Sequence, residues 1–200
     1  MSIENKLTTI AENEVKVYEA GKKAEYDAFW DSYQNGGNRV QYPFAFYLWD
    51  GECFKPKYPI IFGTNVSSQD TFSYASITEV GVDIIVQEGF NIHSAFYDCS
   101  NLKTIKKIII TENSTIDNHC FDGCRSLTSI QFVGTLGQSI NFQWSPLLDK
   151  ASIENIFSVL SSSASGKTLT LNKSAKEAAF TGSEWEQLKA TKSNWNIVLI

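Results

Sequence analysis

The chain has 200 residues, 42% of them hydrophobic and 20% charged, and a formal charge of -5. These values suit one or two folded domains rather than a disordered chain. With no long run of Lys or Arg, they argue against nucleic acid and anionic membrane as partners.

No apolar run is long enough to span a bilayer, and no basic-then-apolar signal opens the chain. The expectation is synthesis in a cytoplasm without export by the usual signal. Four Cys and two His are too few for a disulfide scaffold.

Residues 1–34 form the first segment, with a helix predicted over 5–34. This stretch is rich in Ala, Glu and Lys and has no Pro. Ile3, Ile10, Val17 and Ala24 fall seven apart, as one row of a heptad. In the companion row, Glu14 and Gly21 interrupt Leu7 and Ala28. The helix therefore reads either as a seam for self-association or as a helix lying on its own domain.

Residues 35–67 read as a β-rich cap. Asn35-Gly36-Gly37-Asn38 ends the helix. Tyr42 to Trp49 alternates as a strand, and Asp50-Gly51 marks a hairpin. Pro56 and Pro59 make Phe54 to Ile61 an edge or an extended connector rather than a central strand.

Residues 68–150 contain a repeat. Phe96, Cys99, Leu102 and Ile105 recur 25 residues later as Phe121, Cys124, Leu127 and Ile130. Phe72, Ile77 and Val80 form a weaker copy before them. Phe142, Ser145, Leu148 and Ala151 form a degenerate copy 21 residues after the second. A fixed period of this length predicts stacked units that bury a continuous core, a solenoid.

Residues 151–200 read as an α+β cap on the other end. Expected are a helix over Ser152 to Leu160 with a Ser cap, a strand over Lys167 to Leu171, helices over Ser174 to Phe180 and Glu184 to Ala190, and a strand over Asn194 to Ile200.

The pattern Ala/Cys-Phe-x-x-Cys-x-x-Leu-x-x-Ile resembles the BspA-like (treponemal-type) leucine-rich repeat. That resemblance implies a surface adhesion or interaction module rather than an enzyme. Residues 17–31 (Val-Tyr-Glu-Ala-Gly-Lys-Lys-Ala-Glu-Tyr-Asp-Ala-Phe-Trp-Asp) and 190–195 (Ala-Thr-Lys-Ser-Asn-Trp) resemble small repeat proteins encoded in phages and prophages of gut Firmicutes. This second resemblance implies a tail or baseplate component, trimeric as such appendages commonly are, located in the virion. It also implies contact with other particle proteins or with a host-surface glycan or protein. The alternative is a bacterial surface adhesin or scaffold. The expected fold class is thus α+β: an N-terminal helix, then a short leucine-rich-repeat solenoid with a β-rich N-terminal cap and an α+β C-terminal cap.

No catalytic set is legible, and no cofactor is expected. His119-Cys120 with Cys124 could suit zinc. The repeat explains the cysteines better, as small inward-facing side chains. Ser165-Gly166-Lys167-Thr168 echoes the end of a phosphate loop but lacks its first Gly and the strand before it. Tyr47, Trp49 and Trp144 are candidates for stacking on sugar rings. Large aromatics are more often core.

Overall fold

The computed structural model describes residues 59–63 and 71–200, and the backbone of 53–54. The expected helix over 5–34, its row Ile3, Ile10, Val17 and Ala24, and the strand carrying Tyr47 and Trp49 lie outside the described residues.

The described residues are mainly sheet. β1 (Cys53–Phe54), β3 (Glu79–Val86), β5 (Thr104–Ile110) and β7 (Ser129–Gly134) form a parallel sheet, with β2 (Ile60–Phe62) also paired to β3. A second sheet pairs β4 (Asn91–Ile92) with β6 (Thr115–Ile116). A third has the order β10 (Trp195–Leu199), β9 (Lys167–Leu171), β8 (Ile140–Phe142). The three helices among the described residues are α1 (Lys150–Val159), α2 (Lys173–Ala179) and α3 (Gly182–Ala190).

This corrects the expected fold class. Separate parallel sheets stand, among the described residues, where one capped solenoid was expected. The reason lies at the fourth copy. Ala151, which should open its strand, falls inside α1. A helix thus lies on the edge of β7 where a further strand was expected, and β9 and β10, which follow it, pair with β8 in a different sheet.

Within the repeat, sequence spacing becomes strand register. Val80 pairs with Ile105, and Ile105 with Ile130. Both pairings slip by one residue at the same place, a repeated β-bulge. Beyond the slip, Ile84 pairs with Ile108 and Ile108 with Phe132, and all three are buried. The bulge brings Lys106 to 3.0 Å and Lys107 to 3.4 Å from the carboxylate of Asp83. The Lys106 hydrogen bond, more than any other influence, holds that carboxyl below its usual range.

The core is a column of phenylalanines, one per copy. Phe72 stacks on Phe96 at 5.1 Å between ring centroids, Phe96 on Phe121 at 5.9 Å, and Phe121 on Phe142 at 4.9 Å. Each such pair adds about 0.5–1.5 kcal/mol beyond its buried area.

The cysteine position has a directional role that spacing alone does not reveal. The Cys99 thiol donates to the Phe72 carbonyl at 2.8 Å, and Cys124 to the Phe96 carbonyl at 3.1 Å. Each thiol thus satisfies a buried acceptor one copy earlier. At the fourth copy Ser145 Oγ is buried with no partner. Cys99, Cys120 and Cys124 are free and buried. Burial pushes the Cys99 thiol up to about 12 and raises the other two well above their ordinary value. Only the thiolate is an effective nucleophile. Iodoacetamide should therefore leave all three unmodified in the folded chain and label them in denaturant. Peptide mapping that finds Cys124 alkylated under native conditions contradicts this packing.

After each column Phe the chain turns sharply. Tyr74, Asp98 and Gly123 hold one repeat position and share left-handed φ values of 59°, 53° and 76°. Such residues end any helical turn, so the inter-strand segments are turns rather than helices. Gly123 also has no room for a side chain, since a Cβ there would fall 2.5 Å from Asp98 Oδ1.

Helix α1 closes the edge of β7 with side chains. Its N-cap is Asp149, which accepts from Ser152 N at 2.7 Å, so the helix starts before the expected Ser152 cap. Ser152 Oγ instead accepts from Ile130 N at 3.0 Å. Asn155 accepts from Phe132 N at 2.7 Å and donates to Phe132 O at 3.1 Å. These groups replace the backbone of a further strand, one way to block unwanted edge pairing.

The C-terminal elements follow from local signals. Asn172 caps α2, and Thr181 with Glu184 forms a capping box on α3. Trp185 packs edge-on to Phe157 at 5.7 Å and lies against Phe180 at 5.9 Å. The loop between α1 and β9 is clamped from the repeat: Ser161 and Ser163 hydroxyls donate to Glu112 at 2.5 and 2.6 Å. Those two bonds hold the Glu112 carboxyl below its usual range.

Candidate functional site

The turn side of the repeat carries the exposed aromatic side chains among the described residues. Tyr74 and Tyr97 lie in consecutive copies, with rings 5.5 Å apart and edge-on, and are 44% and 36% exposed. Trp144 occupies the repeat position of Tyr74 in the fourth copy and is 44% exposed. The Arg125 guanidinium lies 5.6 Å from the centroid of the Trp144 ring. Leu147, a little further along the same turn region, is 57% exposed.

The repeat explains why these side chains face outward. The Phe, Cys and Leu of each copy take the inward places. Tyr97, directly after Phe96, and Tyr74 and Trp144, two residues after their own Phe, are turned out by the bend. Parallel strands stack about 4.8 Å apart, so three copies set the Tyr74 and Trp144 positions about 14 Å apart along the stack. Asp98 and the bare Gly123 occupy the same position between them. The result is a shallow strip with aromatic side chains at both ends and a carboxylate between.

Such a strip can bind without reacting. Aromatic faces accept the apolar faces of sugars or of flat side chains. Arg125 against Trp144 adds a donor fork whose orientation the ring supports. Among the sequence candidates, Trp144 sits in this strip, and Tyr47 and Trp49 lie outside the described residues. Tyr74, Tyr97 and Arg125 were missed. The signal for the two tyrosines was available, since each stands one or two places after a column Phe and so must point away from the core.

The other candidate chemistry is not brought together. Among the described residues, no group of three His, Cys, Asp or Glu could hold a metal ion. Cys120 and Cys124 point into the core, while the His119 side chain is exposed and bonds Asp122 through Nδ1 at 2.8 Å. Lys167 opens strand β9 and donates to Gln138 at 2.8 Å. A phosphate loop needs its lysine at a helix N-terminus, which this is not.

The two imidazoles face separate carboxylates: His93 Nδ1 lies 3.4 Å from Asp117, and His119 Nδ1 lies 2.8 Å from Asp122, while the His119 backbone N–H donates to Asp117 at 2.8 Å. The hydrogen bond to Asp122 chiefly raises the His119 pKa above 6.5. A raised imidazole pKa adds stability that is complete below the unfolded value and is lost as pH rises through the folded one. Both ends of that window lie at or above the ordinary value. Proton NMR titration should show His119 moving down toward 6.5 in Asp122→Asn. An unchanged midpoint rules out the pair as the cause.

No family model, curated protein or solved structure matches the chain. No helix among the described residues is long and apolar enough to cross a membrane.

Proposed function

We propose that the chain is a non-enzymatic recognition module, a component of a phage-like tail or baseplate that binds a host surface or a neighbouring particle protein. The observation that carries the binding reading is the exposed aromatic strip of Tyr74, Tyr97 and Trp144, with Arg125 against the Trp144 ring. Clustered exposed apolar side chains are a common mark of an interaction site. The protonated, buried state of Cys99, Cys120 and Cys124 also favours a non-catalytic reading, because it removes the strongest nucleophiles among the described residues. The particle setting rests on the resemblance of residues 17–31 and 190–195. Self-association through Ile3, Ile10, Val17 and Ala24 belongs to the same proposal.

The test is co-sedimentation of the full chain with purified Gram-positive cell-wall polysaccharide. Binding is expected, and Trp144→Ala should weaken it by about tenfold, near the lower end for loss of a stacking aromatic. The melting temperature should barely move, because the ring is half in solvent. Equal binding by Trp144→Ala and the unmodified chain removes the strip from the proposal. Absence of binding to any wall fraction removes the glycan form of it.

A further inference from the structure

The two sheet edges are treated differently, and the difference points to a second copy of this chain. The edge of β7 is occupied by Ser152 and Asn155. The outer edge of β10 has no such cover. β10 is terminal in its sheet, paired only with β9 among the described strands. Its sequence, Trp195-Asn196-Ile197-Val198-Leu199, contains no charge and no proline. Lysine, proline and bulges are the usual protections of an edge strand, and all are missing here.

The phase of the ladder shows which backbone groups are free. Ile200 N donates to Leu171 O at 3.1 Å, and Ile200 O accepts from Lys173 N at 2.8 Å. Ile200 therefore faces β9 with both of its groups. In a parallel ladder every second residue does the same, so Val198 and Asn196 also face β9. Ile197 and Leu199 present both N–H and C=O outward. Among the described residues, nothing outside the sheet hydrogen-bonds to them.

We infer that β10 pairs antiparallel with β10 of a second copy, about a twofold axis at Val198. The arithmetic of that register is self-consistent. A twofold at Val198 sets Ile197 of each chain opposite Leu199 of the other. Those are the two residues with free groups, and an antiparallel hydrogen-bonded pair exchanges both of its bonds. Four interchain hydrogen bonds follow, with none of the outward groups of either residue left over. The twofold also makes the contact closed, so it ends at two copies rather than propagating. The uncharged strand sets no like charges against each other. This inference is independent of the aromatic strip.

The experiment uses the full chain. In the proposed register Val198 meets its own symmetry mate at a non-hydrogen-bonded site, with Cβ atoms about 4.5–5.5 Å apart. Under mild oxidation Val198→Cys should form a covalent dimer. Asn196→Cys, set opposite Ile200 of the other copy, should not, and neither should the unmodified chain. Leu199→Pro removes only an outward N–H. In light scattering it should weaken self-association by about tenfold or more, as two hydrogen bonds are lost per dimer. Cross-linking decides between this contact and any association through residues 1–34. The inference is overturned if Val198→Cys stays monomeric under oxidation, or if Asn196→Cys cross-links as fully. It is also overturned if the chain remains monomeric at micromolar concentration yet takes up a synthetic peptide of residues 195–200, since the edge then accepts a strand but not a second copy.

Discussion

Phe121→Ala is expected to cost about 3–5 kcal/mol, the range for deleting a buried aromatic ring. The ring is fully enclosed, with Phe96 5.9 Å away on one side and Phe142 4.9 Å on the other. Its removal therefore breaks two stacked pairs and leaves a void between rigid neighbours. Collapse to fill that void is limited, because each neighbouring ring is held by its own turn. Leu127→Ala, at another fully buried repeat position, should cost about 2–5 kcal/mol by the same mechanism. The measurement is urea denaturation with the slope held in view, so that a shifted midpoint reports stability rather than a changed unfolded state. A midpoint that Phe121→Ala leaves in place would mean the phenylalanine column is not the core.

The second large effect concerns the closed edge of β7. Asn155→Ala removes the partner of both Phe132 N and Phe132 O. Leaving a buried backbone group unsatisfied costs about 1–3 kcal/mol. Phe132 N–H and C=O are both exposed to this penalty, and water can relieve part of it because the site is part-buried. Asn155→Asp separates the two bonds. A carboxylate still accepts from Phe132 N, but it cannot donate to Phe132 O and sets two acceptors face to face. It should therefore destabilise the chain even though one bond survives. The sharper readout is association: with its side-chain cover gone, the β7 edge is open to pairing, and the alanine variant should aggregate on heating where the parent does not. Equal midpoints for parent, Ala and Asp chains would show that α1 covers the edge without bonding it.

Much of the repeat was legible because its spacing is a physical constraint. Side chains that stack from copy to copy must recur at the length of one copy, so Phe96 with Phe121 and Leu102 with Leu127 announced a shared core. The strand from Lys167 to Leu171 was likewise readable from alternation. Two other features were not, and a third was legible only through the repeat. The bulge that shortens the offset after Ile105 leaves no mark in composition, because either residue of a bulge can be apolar. The N-cap at Asp149 was masked by Ser152, an equally good capping residue three places on. Tyr74 and Tyr97 look like core residues by type, and only their place after a column Phe turns them outward.

The sequence by itself therefore determined the period and the identity of the inward residues, while the left-handed turns at Tyr74, Asp98 and Gly123 came only from the structure. Period and inward identity are local or nearest-neighbour facts, carried by side-chain size and spacing. Only the tertiary structure decided that the fourth copy leaves the sheet. There α1 takes the place of a strand, and Ser152 and Asn155 satisfy Ile130 and Phe132 in its stead. It also decided that β8, β9 and β10 form a separate sheet with β10 at its edge. Which strand lies beside which depends on contacts between residues far apart in the chain, and no window of local sequence contains both partners.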